Sequence, residues 1–109
     1  MRRTAKNQAQ VFAALGDETR LRLVTKLSAD SPQSITQLTE GAAITRQAVT
    51  KHLRVLADAG LVQSSQRGRE SLYELAPERL AEARRYLEEV SRQWDDALGR
   101  LKAFVEEGT

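Results

Sequence analysis

The chain has 109 residues, with 17 Lys and Arg against 15 Asp and Glu, one His and no Cys. That length suits one domain over residues 1–109, and the lack of cysteine excludes a disulfide framework and a thiolate metal site. No run approaches the roughly 18 apolar residues of a membrane span, and the basic start Met1-Arg2-Arg3-Thr4 lacks the apolar core of a signal peptide, so a cytoplasmic protein without a membrane partner is expected.

A first helix is predicted over about 4–15, with Ala5, Ala9, Phe12 and Leu15 at helical spacing. Gly16 is expected to stop it by adopting the left-handed conformation. Asp17 is placed as the cap of a second helix running through Leu21, Leu23, Val24 and Leu27, with Glu18 favourable in the first turn. Asp30-Ser31-Pro32 reads as a loop. Residues 34–40 read as a short third helix, Ile35 and Leu38 inward, ended by Gly41.

The fourth helix carries the strongest pattern. Thr45 is its expected cap, and it ends at Gly60 just before Leu61-Val62. At about 100° per residue, Val49, Leu53 and Leu56 fall on one side, with Ile44 entering the same core. Gln47, Lys51 and Arg54 fall opposite, with Thr50 on the shoulder. Such a helix suits a DNA major groove, where Arg and Lys match guanine acceptors, Gln matches adenine and Thr serves either. His52 is the only histidine. It lies beside the dry side, so a packed, hydrogen-bonded imidazole is favoured over a DNA contact, and one imidazole cannot build a zinc site.

Residues 61–75 read as a β-hairpin, with Leu61-Val62 and Leu72-Tyr73 apolar and Gln66-Arg67-Gly68-Arg69 as the turn. Arg67 and Arg69 at its tip are expected to meet phosphates. Across 43–69 the bases Arg46, Lys51, Arg54, Arg67 and Arg69 face Asp58 alone, whereas acids outnumber bases over 78–107. Positive charge is thus concentrated where a DNA-facing surface would need it. Arg2, Arg3 and Lys6 could add unspecific phosphate attraction.

Pro77 opens a last helix that extends to about residue 107, on the order of 45 Å long. Leu80, Leu87, Trp94 and Leu101 repeat every seven residues, and Ala83, Val90, Ala97 and Phe104 repeat with an offset of three. These are a and d heptad positions, longer than a small headpiece can cover. A homodimer is expected, with Phe12 contributing from the first helix. Trp94 and Tyr86 could instead line a ligand pocket, but interface core is the better account of that spacing. The acidic pairs Glu88-Glu89, Asp95-Asp96 and Glu106-Glu107 point about 100° apart on a helix and read as solvated, not as a cation site.

The predicted architecture is mainly α with a small β-hairpin: a winged helix-turn-helix with a long C-terminal dimerisation helix. The reading unit is about 34–59, the wing about 61–75, and the dimerisation helices about 4–15 and 77–107. The expected partners are double-stranded DNA, read as an inverted repeat, and a second copy of the chain. Gln47, Thr50, Lys51 and Arg54 would approach base edges, while Arg46, Arg67 and Arg69 anchor phosphates. No cofactor, metal or inducer is indicated. With no second histidine, nucleophile elbow or phosphate-binding glycine loop, an enzyme is not expected. The alternative is a winged-helix protein–protein module without specific DNA binding, which has no need of the outward polar set.

Two segments carry a family resemblance. Phe12-Ala13-Ala14-Leu15-Gly16-Asp17-Glu18-Thr19-Arg20-Leu21-Arg22-Leu23 resembles the entry segment of ArsR/SmtB-type bacterial repressors, and residues 47–62 resemble their recognition helix and its exit. The likeness runs in order from about Ala9 to Phe104. It implies a dimeric repressor that leaves DNA when a metal or another signal binds. The chain departs from the family's sensing motifs. Ser34-Ile35-Thr36 stands where thiol-dependent members carry Cys-x-Cys, and no histidine lies within 78–107. The resemblance is therefore to the branch without recognisable metal ligands.

Overall fold

The computed structural model describes residues 2–108, with side chains described from residue 6. Five helices and three strands follow in order: α1 (Arg2–Leu15), α2 (Glu18–Ala29), β1 (Gln33–Ser34), α3 (Ile35–Thr39), α4 (Arg46–Asp58), β2 (Val62–Arg67), β3 (Glu70–Leu75) and α5 (Pro77–Glu107). The fold is mainly helical with a small antiparallel sheet and a long last helix, as the sequence predicts.

The third strand is new. β1 pairs antiparallel with β3, Gln33 opposite Tyr73 and Ser34 opposite Leu72, giving the strand order β1-β3-β2. Two residues carry no periodicity that could announce a strand. Their polar side chains are buried yet satisfied. Gln33 donates to the carbonyls of Lys26 and Asp30, and Ser34 closes a capping box with Gln37 at the start of α3. The third helix accordingly begins one residue later than expected.

α1 is turned relative to the expected phase. Gln8, Val11 and Ala14 are buried, Ala9 is exposed, and Phe12 and Leu15 are half-buried against the headpiece. Ala5 lies outside the described side chains. Alanine removes little apolar area when buried, so an alanine-rich helix leaves its phase weakly specified. α1 ends at Leu15, just before Gly16, as expected, but Gly16 does not adopt the left-handed conformation. The end of α1 is held instead by its own Gly16 N–H on the carbonyl of Ala13 and by the guanidinium of Arg20. On α2, Leu23 and Leu27 enter the core while Leu21 faces out.

The core is built from Val11, Leu23, Leu27, Leu38 and the inner side of α4, closed by Leu61, Val62 and Ala83. α4 leaves it through a Schellman end: Gly60 N–H donates to Ala57 and Leu61 N–H to Leu56, both at 2.9 Å. Gly60 has φ +78, and a Cβ there would stand 2.8 Å from Cγ of Arg79. Glycine thus serves both the turn and the close passage of α5. The 31 residues of α5 span about 46 Å. They account for most of the 68 Å length of a molecule whose other dimensions are 32 and 20 Å.

Candidate nucleic-acid interface

The turn between α3 and α4 is tied from behind. Nζ of Lys26 donates to the carbonyls of Leu38 (3.1 Å) and Glu40 (2.9 Å), occupying acceptors that a helix end leaves open. Gly41, with φ +72, then reverses the chain. Oγ1 of Thr45 accepts from the N–H of Ala48 at 3.1 Å and starts α4.

Along α4 the two sides differ completely. Val49, Leu53 and Leu56 are fully buried, and Ile44 packs half-buried against them. Arg46, Gln47, Lys51 and Arg54 are exposed, and Thr50 is half-buried. The hydroxyl of Thr50 donates to the carbonyl of Arg46 (2.8 Å), leaving its lone pairs as acceptors. Among the described residues, no side chain pairs with Arg46, Gln47, Lys51, Arg54, Arg67 or Arg69. A row of unspent donors on a helix anchored by its other side is what base-edge recognition requires.

The wing is β2 and β3 in register from Val62 opposite Leu75 to Arg67 opposite Glu70. Gly68 has φ +62 at the first position of a two-residue loop, the position where such hairpins need glycine. Arg69 and Arg46, distant in sequence, line one cleft together with Ser34, Thr36, Glu70 and Ser71. Arg67, opposite Glu70 on the edge strand β2, does not line it. Thr36 and Ser71 escape a sequence reading, because only the β1–β3 pairing brings them beside Arg46. Glu70 in the same cleft offsets part of its positive charge.

His52 sits between the reading positions and the core. Its Nδ1 is 3.3 Å from a terminal nitrogen of Arg20 and 3.8 Å from Oδ2 of Asp17. The hydrogen bond from the backbone N–H of Arg20, which caps α2, is the main cause holding the Asp17 carboxyl below its ordinary value. Desolvation opposes it, and the charge of Arg20 adds to it, joined by that of His52 when the ring is protonated.

A second surface lies on α5. Leu80 and Ala83 pack on the chain's own core, and the ring of Phe12 meets Tyr86 at 5.8 Å between centroids. Phe12, Leu15, Leu80, Ala83 and Leu87 line an apolar groove between α1 and α5. Leu87 on its rim is exposed and Val90 is half-buried, and beyond them the stripe is bare: Trp94 is 64% exposed and Phe104 73%, with Ala97 and Leu101 also exposed. Leu98 (56%) and Val105 (57%) widen the stripe beyond the expected heptad positions. Each stands four residues after a predicted stripe residue, a spacing that marks the broader apolar face of a globular helix. Of the acidic pairs, Glu88 bonds Arg84 and Glu89 bonds Arg92.

Residues 15–64 match the family described as a helix-turn-helix domain. The HTH-type transcriptional regulator Rv2034 of Mycobacterium tuberculosis is 35% identical, over 87% of this chain and 85% of its own. The solved ArsR-like transcriptional regulator from Rhodococcus sp. RHA1 is 39% identical, with a TM-score of 0.78 over 93% of this chain and 94% of that one. The chain belongs to the ArsR-type helix-turn-helix transcriptional regulators. A homodimeric winged helix-turn-helix DNA-binding domain from Mycobacterium bovis shares the fold, at 20% identity and a TM-score of 0.66 over 82% of each chain. In this ArsR-type regulator no described helix is long and apolar enough to cross a membrane.

Proposed function

We propose that the protein is a homodimeric transcriptional repressor that binds an inverted-repeat operator through the major groove in the cytoplasm. The observation that carries this reading is the bare polar side of α4, held rigidly by a buried opposite side and flanked by the wing. Gln47, Thr50, Lys51 and Arg54 contact base edges. Arg46, Arg67 and Arg69 anchor phosphates. Repression follows from covering promoter DNA and needs no chemistry beyond binding; its sign comes from the family.

The dimer is assembled from Phe12 of α1 and from Leu80, Ala83, Leu87, Val90, Trp94, Ala97, Leu101 and Phe104 of α5. An apolar stripe this long and open is the mark of an interaction surface, and the structurally similar M. bovis domain is homodimeric. Residues 1–109 act as one domain, with the reading unit about 34–59 and the wing about 61–75. Two reading helices related by a twofold axis would meet half-sites about 34 Å apart.

The test is selection of duplexes from a random-sequence library on the purified protein, followed by anisotropy binding across a salt range. The selected sequence should be an inverted repeat bound by two protomers. Arg54→Ala should reduce preference over random DNA by about 1–3 kcal/mol, whereas Arg67→Ala should lower the salt slope by about one unit on every sequence. A library that yields no enriched sequence would overturn the reading.

A further inference from the structure

The guanidinium of Arg20 stands where three elements meet. Nε donates to the carbonyl of Ala14 and one terminal nitrogen to that of Ala13, which also accepts the Gly16 N–H at the end of α1. The other terminal nitrogen reaches Nδ1 of His52 on α4 at 3.3 Å. A guanidinium has only donors. Nδ1 is therefore the acceptor, which makes the imidazole neutral with its proton on Nε2. Asp17 stands 3.8 Å from the same Nδ1 while capping α2. Among the described residues, Asp17 and Arg20 are the charged groups from other elements that reach His52. On α4 itself Lys51 and Arg54 flank it in sequence.

We propose that Arg20 is a positioning residue for the reading helix, holding α4 to the end of α1 through neutral His52, so that protonation of His52 weakens operator discrimination. The proposal rests on the assignment of α4 as the reading helix. A proton on Nδ1 replaces the acceptor by a donor facing a cation. Arg20 must then withdraw, and the ring is drawn toward Asp17. The angle of α4 decides whether Lys51 and Arg54 align with base edges, and hydrogen bonds weaken steeply with misalignment. Contacts to phosphates depend on charge and tolerate the shift. The added charge on His52 raises attraction to any DNA, so the two effects separate in the operator-to-random ratio.

The test measures binding of the library-selected duplex and of random duplex between about pH 7.5 and 5.5. In the unmodified protein the ratio should fall about tenfold toward acid, the size of one hydrogen bond to a charged group, while affinity for random DNA holds or rises. His52→Asn puts an amide oxygen in place of Nδ1 that does not titrate. It should keep the neutral-pH ratio and lose the pH step, while Arg20→Met should show the low ratio at both pH values. With one histidine in the chain, nitrogen NMR reads the tautomer directly and should find the proton on Nε2. A proton on Nδ1 at neutral pH would overturn the proposal, as would a pH-independent ratio or a pH step that survives in His52→Asn. Absence of discrimination at either pH would sink the regulator reading and the coupling together. The tautomer would still tell that failure from a missing contact.

Discussion

α4 and α5 are both amphipathic, and their apolar stripes meet opposite fates. In α4, Val49, Leu53 and Leu56 are sealed by the surrounding elements within a single chain. In α5 the same kind of stripe joins the core only at Leu80 and Ala83, and it is bare from Trp94 onward, because the headpiece ends while the helix continues. One helix is finished by its own chain and the other is not. Burial stabilises in proportion to the apolar area removed from water. The single chain therefore leaves unused the stabilisation that Trp94, Leu98, Leu101, Phe104 and Val105 could contribute. That is the physical case for a second copy.

The comparison breaks most visibly if the bare stripe is charged. Trp94→Asp together with Leu101→Asp should give a monomer by sedimentation at micromolar concentration, with the headpiece still folded by circular dichroism. Operator affinity should fall about 100-fold or more as the two half-sites cease to be bound together. A variant that stays dimeric would mean the stripe is not the interface.

Single truncations sharpen the contrast. Leu53→Ala should destabilise by about 2–5 kcal/mol in urea unfolding, because it empties a site sealed on all sides. Leu98→Ala should reveal itself mainly as a melting temperature that depends on protein concentration, since its burial belongs to association. Identical concentration dependence for the two variants would erase the distinction.

Smaller effects test how the two helices meet. Gly60→Ala forces a side chain into the left-handed region and against Arg79, and should cost about 1–2 kcal/mol in thermal unfolding. Asp17→Ala removes the α2 cap. Its carboxyl is held below the ordinary value, so its stabilisation is complete above the unfolded carboxylate range and fades as pH falls through the lower folded value. The gap in melting temperature between Asp17→Ala and the unmodified chain should therefore be present at neutral pH and narrow in acid. A gap that persists unchanged at low pH would show that the charge of Asp17 does not matter.

Most of the candidate site was legible in the sequence because the residues that define it are local. The cap at Thr45, the inward trio, the outward polar set and the glycine at position 60 all follow from a 3.6-residue period and from the conformations glycine accepts. Elsewhere the local signals are weak. α1 is rich in alanine, and its phase was settled by what packs on Val11 and Ala14. α1 does end before Gly16, but without a left-handed glycine, since Arg20 secures that end from another helix. Leu98 and Val105 lie outside a strict heptad because that repeat describes only the narrow seam of a coiled coil.

The order of elements, the polar side of α4, the wing with its glycine and the long stripe of α5 are all legible along the chain. Each of these is written within a few turns of helix or one hairpin. Only the tertiary structure decided the two-residue strand β1, the meeting of Arg46 with Arg69 in one cleft, the link from Arg20 to His52 and the point at which α5 leaves its own core. Those depend on distances between residues far apart in the chain. Such distances are set by how packed elements share a common interior, which no local period encodes.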